Sequence, residues 1–228
     1  MERLFKYSII AGAVIAALFV IYLCWHLSEL FLDREGLYEA KSIILPVLYV
    51  IRNVLLLVFF VLLISCHQGT SKFLIPSWMV ISAYGIQIIT NLLWNLAPII
   101  MAKIIEARVH YYIYYLLDFC RLLIAAAFIW ISICFKGIQA HKIAGLAVSG
   151  IIIINFLYIL GNVVLPAEIS IDIWEFEEEL RFKIGFSLYE ITGLLSLASY
   201  SVFLLSFGLT KAAGFDAVIK PDDSTVKS

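Results

Sequence analysis

The sequence predicts an all-α, polytopic integral membrane bundle of six transmembrane helices, and three observations predict it. First, 63% of the 228 residues are hydrophobic and only 14% are charged, with a mean hydropathy of +1.01. A water-soluble chain of this length cannot hide so much apolar surface, so lipid must be part of its solvent. Second, the apolar residues fall into runs long enough to cross a bilayer, which takes about 20 residues at about 1.5 Å of rise each. Third, the runs lack the strict alternation and turn spacing of a membrane barrel.

Taken in order, the expected spans are 7–27, 43–66, 74–101, 109–135, 143–165 and 184–210. The start, MERLFK, has the basic character of a secretory signal. However, the apolar run behind it is longer than a signal core and no small-x-small cleavage site follows, so it is expected to remain as the first span. Residues 1–211 then form a single membrane domain, and the polar tail 212–228 is expected to be disordered.

Orientation comes from the loops. Eight Lys and Arg lie on the side of the N-terminus against six on the other, and the short loops 67–73 and 136–142 carry basic residues and no acid. The opposite side carries Asp33, Glu35, Glu39, Glu106 and an acidic stretch from Glu168 to Glu179. Both termini are therefore expected in the cytoplasm, with the chain in the plasma membrane.

Several function classes are excluded by what the residues are. The net charge of −1 offers no bulk polarity for nucleic acid. Cys24, Cys66, Cys120 and Cys134 have neither C-x-x-C spacing nor a polar loop, and read as small packing residues rather than metal ligands. His26, His67, His110 and His141 all lie near span ends, so no haem or metal cluster is expected at the midplane. Trp25, His26 and Glu29 read as interface anchors, and the stretch IDIWEFEEELRF as a short amphipathic segment in an outer loop. No catalytic motif is present, and neither a cofactor nor a catalytic residue is expected.

The informative residues are those that lipid should reject: Arg52, Asp118, Arg121 and Glu190. Each costs about 2.5–3.5 kcal/mol at a helix centre, so all four should face protein or water. Asp118 and Arg121 can pair at i,i+3, whereas Arg52 and Glu190 are expected to meet across helices. Counting residues places all four at similar depth, in the half of the bundle away from the termini. The same zone holds a Gln87–Asn91–Asn95 stripe on the third span, and Asn155 and Asn162, with Tyr158 nearby, on the fifth. Tyr111, Tyr114 and Tyr115 lie on the side of the fourth span that carries Asp118, and read either as a cavity mouth or as an interfacial aromatic belt.

Polar groups from five helices thus converge at one depth. One reading is structural, ion pairs and amide bonds holding helices together where lipid supplies no hydrophobic drive. The other is an outward-facing cavity for a small polar or anionic ligand, with Arg52, Asn91, Asn95, Asp118, Arg121, Asn155 and Glu190 as candidate ligand-binding residues; guanidinium is a natural receptor for carboxylate or phosphate. In size and topology the chain resembles the substrate-binding subunits of energy-coupling-factor vitamin transporters. That resemblance implies a membrane partner meeting the first helix through Gly12, Ala13, Ala16 and Ala17. The expected function is a transporter or substrate-binding transport subunit. The alternatives are a sensor, assembly or accessory subunit, and an enzyme acting on lipid.

Overall fold

A computed structural model of the protein describes residues 2–31, 34–66, 71–96, 110–135, 139–164, 175–176 and 188–210. The tail 212–228 and most of the acidic stretch 168–179 lie outside the described residues, though Glu175 and Phe176 are helical and exposed. The described residues form six long helices: α1 Glu2–Phe31, α2 Arg34–Cys66, α3 Ser71–Leu96, α4 His110–Cys134, α5 Ala140–Val164 and α6 Leu188–Leu209. Each contains a stretch of 19 to 27 residues long and apolar enough to cross a membrane. This is an integral, multi-pass membrane protein.

The helices are apolar nearly all the way round rather than along one stripe, as lipid-solvated helices are. Their outward surfaces present Ile10, Val20, Trp78, Ile89, Phe119, Ile133 and Leu157, side chains that a water-soluble fold would bury. Charges gather at the ends instead, as in the exposed Lys6–Glu2 pair at 2.9 Å in the first turns of α1. Helix α1 begins at Glu2, five residues ahead of the expected span.

Each helix packs on its neighbours in sequence, and α1 closes on α6, so the six helices form a ring. Cross-helix contacts give the directions. Ser8 Oγ donates to the Leu204 carbonyl and Ser201 Oγ to that of Gly12, so α1 and α6 are antiparallel. In the same way Ser149 of α5 donates to the Ala125 carbonyl of α4 at 3.0 Å. Such hydroxyl-to-carbonyl bonds hold spans together without a hydrophobic drive.

The seam between α1 and α6 depends on two glycines. A Cβ on Gly12 would fall 2.8 Å from Leu205 Cγ and 2.9 Å from its backbone nitrogen, and one on Gly208 would fall 3.0 Å from the Phe5 carbonyl. Of the small residues expected to meet a partner, Gly12 is therefore buried inside this chain against α6. Ala16 is half-buried, while Ala13 and Ala17 are exposed.

The ring interior differs between its two ends. Toward the end where α1 starts and α6 finishes, called proximal here, it is filled by aromatic rings, chiefly from α2, α4 and α6. Phe59 and Phe60 of α2, Phe128 of α4, and Phe203 and Phe207 of α6 meet at centroid distances of 5.1 to 6.4 Å. Phe135 extends the cluster beside Phe73 of α3. The distal half carries the polar residues.

The loop charges predict which side faces the cytoplasm. Reporters fused after Lys72, after Lys142 and in 212–228 are expected to read cytoplasmic, and reporters in 33–41 and 168–183 external. A clean inversion would turn the distal half toward the cytoplasm.

Candidate functional site

The distal half of the ring encloses a cavity of about 180 Å³. Five helices line it at helical spacing: Tyr49, Arg52 and Asn53 on α2; Tyr84, Gln87 and Asn91 on α3; Leu117, Arg121 and Ile124 on α4; Ile152 and Asn155 on α5; and Thr192, Gly193, Ser196 and Tyr200 on α6. On its proximal side Tyr84 donates to Tyr200 through their hydroxyls at 2.8 Å, both rings being fully buried. The Tyr200 ring in turn rests on Phe128, at the top of the aromatic cluster.

Among the described residues the lining holds two guanidiniums and no carboxylate. Arg121 Nη1 donates to Asp118 Oδ1 at 2.7 Å, the i,i+3 pair that the spacing predicts. Asp118 stands about 60° round the helix from Arg121, which brings the carboxylate within reach of the guanidinium while leaving it out of the lining.

Arg52 is held differently. Its Nε and Nη2 donate to Asn53 Oδ1 at 3.0 and 2.8 Å, and its Cζ lies 4.9 Å from the Tyr49 ring centre and 5.6 Å from that of Tyr200. Asn53 is fixed in turn by a bond from its Nδ2 to Gln87 Oε1 at 3.3 Å. Two of the five N–H groups of the guanidinium are thus committed to Asn53, and the others have no hydrogen-bond partner among the described residues. No carboxylate among the described residues lies within ion-pair distance of it.

The expected pairing of Arg52 with Glu190 is therefore replaced. Glu190 Oε1 lies 3.7 Å from His26 Nδ1, at the seam between α1 and α6. Residue position on α6 explains this. Glu190 falls on the stripe of Ser201 and Gly208, which faces α1, about 120° away from the Thr192–Ser196–Tyr200 stripe that faces the cavity. His26, read from sequence as an interface anchor, is 2% exposed, with the Tyr22 ring edge-on to it at 4.5 Å. A double-mutant cycle on thermal stability is expected to show stronger coupling between His26 and Glu190 than between Arg52 and Glu190.

The remaining candidates divide. Asn91 and Asn155 line the cavity, and Asn155 accepts from Thr192 Oγ1 at 2.7 Å. Tyr114 and Tyr115 are 51% and 65% exposed and are not among the lining residues, a position that fits an interfacial belt. The side chains of Asn95, Tyr111 and Asn162 lie outside the described residues. Sequence reasoning overlooked Asn53, Tyr49, Thr192, Ser196 and Tyr200, though the i,i+4,i+8 spacing of the last three was a readable signal.

No protein-family model, curated protein or solved structure matches the chain.

Proposed function

We propose that the protein binds a small anion in the distal cavity and carries it across the membrane, as a transporter or as the substrate-binding subunit of one. The observation that carries this reading is Arg52, a charge held by a neutral amide and two ring faces with no carboxylate beside it among the described residues. A half-buried guanidinium inside a span, without a counter-charge among the described residues, is costly, and an anionic ligand is the occupant that offsets the cost. Its free N–H groups supply the forked donors that carboxylate and phosphate accept. Asn91, Gln87, Asn155, Thr192 and Ser196 offer neutral partners for hydroxyl or amide groups on the same ligand. At about 180 Å³ the cavity is smaller than the roughly 300–1,000 Å³ of sites for drug-sized molecules, so the ligand is small.

With the termini cytoplasmic, the cavity is reached from outside, which suits uptake at the cell membrane. A partner subunit on α1 would meet Ala13 and Ala17, because α6 already covers Gly12. A second reading rests on the phenylalanine cluster, which fills the proximal half and blocks passage. On that reading the protein is a receptor that binds the same anion and passes a signal along its helices.

The test is to identify by native mass spectrometry what stays bound to the detergent-purified protein, then to follow its uptake into proteoliposomes. A small anion with saturable uptake supports transport, and binding without uptake favours the receptor. A protein that retains no anion and binds none when offered overturns both readings.

A further inference from the structure

We infer that the cavity selects anions of a single negative charge, and that Asp118 sets this valence by neutralising Arg121. The inference rests on the anion-binding reading above and specifies its ligand. Two guanidiniums reach the lining, which by itself would suit a dianion such as a dicarboxylate or a phosphate monoester. One of them, however, is already paired. Asp118 Oδ1 sits 2.7 Å from Arg121 Nη1 and is not among the lining residues, so it cancels charge without taking up space that a ligand needs.

What remains is the charge of Arg52. It is fixed by Asn53, which Gln87 holds, and it is faced by Tyr49 and Tyr200, so the described groups that hold it are neutral. A ligand with one carboxylate or one phosphodiester restores neutrality. A ligand with two charges leaves the second one in the cavity with no counter-charge from the protein, or must compete with Asp118 for Arg121. Arg121 still serves the ligand, since a guanidinium paired through one N–H keeps others to donate. Asp118 is thus a positioning and charge-setting residue, acting on the ligand through Arg121.

The experiment compares binding of small dicarboxylates with that of their own monomethyl esters, succinate and malonate among them, to the full-length protein in neutral detergent at about pH 8, above both carboxyl pKa values. The monoesters are expected to bind about a hundredfold more tightly than the matching dianions, the scale set by an uncompensated buried charge. Asp118→Asn should reverse or abolish that preference, whereas Asp118→Glu should keep it. The double variant Asp118→Asn with Arg121→Gln again leaves one net positive charge, and it should restore the preference for monoesters. That rescue separates charge-setting from a purely structural role, and it also covers the case in which Asp118→Asn alone does not fold. A phospholipid phosphodiester presents the same single charge. Displacement of bound monoester by phosphatidylglycerol but not by phosphatidylcholine would assign the site to a headgroup, and no displacement to a soluble anion, with the valence rule standing in either case. Tighter binding of the dianions by wild type, or a preference unmoved in Asp118→Asn, overturns the inference while leaving anion binding intact. If no member of either series binds, the anion reading itself falls.

Discussion

Replacing Arg52 with glutamine is expected to weaken anion binding by about a hundredfold, the order of loss when a half-buried, hydrogen-bonded charge pair loses one partner. Stability should move little, or rise, in the absence of ligand. The reason is that Arg52 makes no ion pair among the described residues, so removing it orphans no carboxylate and relieves the burial of a charge. Its bonds to Asn53 are local, within one turn of α2, and a glutamine amide can still donate to that oxygen. Isothermal titration and thermal unfolding in detergent measure the two effects separately. A large loss of stability with ligand affinity preserved would mean that Arg52 serves the fold.

Phe128→Ala should do the reverse. The Phe128 ring is fully buried and touches Phe60, Tyr200 and Phe203, so it joins α4 to both α2 and α6 across the ring. Truncating it removes three aromatic contacts and opens a cavity next to the polar one, a change that costs about 3–5 kcal/mol in well-packed interiors. The expected result is a markedly lower unfolding temperature, read in detergent, with the preference between monoester and dianion retained. An unchanged unfolding temperature would show that the proximal half is not packed as described.

The two variants separate the halves of the ring, and the halves were not equally legible in the sequence. The six spans follow from the length and apolarity of the runs, because only helices and closed barrels cross lipid and the runs lack the alternation of a barrel. The depth of each polar residue also followed, since rise per residue converts position in a span into depth. That is why Arg52, Asn91, Arg121 and Asn155, chosen only by depth, lie around one cavity.

Azimuth was harder. Knowing that Arg52 and Glu190 share a depth does not say which way each points until the neighbours of each helix are known. Closure of α1 on α6 turns the Glu190 stripe toward His26, and no loop in the sequence announces that closure. His26 was misread for the same reason: a histidine five residues from the end of a helix resembles an interface anchor until a second helix covers it. Asn53 escaped notice because a single amide beside an arginine draws no attention in an apolar run, yet it is the group that orients the guanidinium. Asp118 with Arg121 was readable because both partners lie on one helix, where spacing alone fixes their contact.

The central claim is that five helices enclose a water-reachable cavity that an anion fills, and thiol labelling of Asn155→Cys tests it most directly. The measurement uses a background without Cys24 and Cys66, a membrane-impermeant reagent applied to the distal face, and monomethyl succinate as the anion. The introduced thiol is expected to label readily and to be protected by saturating anion. Native Cys120, which is 0% exposed and off the cavity lining, should label slowly with or without it. If the introduced thiol stays unlabelled while a control cysteine in 33–41 reacts, the cavity is dry and its charges serve only to hold the helices together.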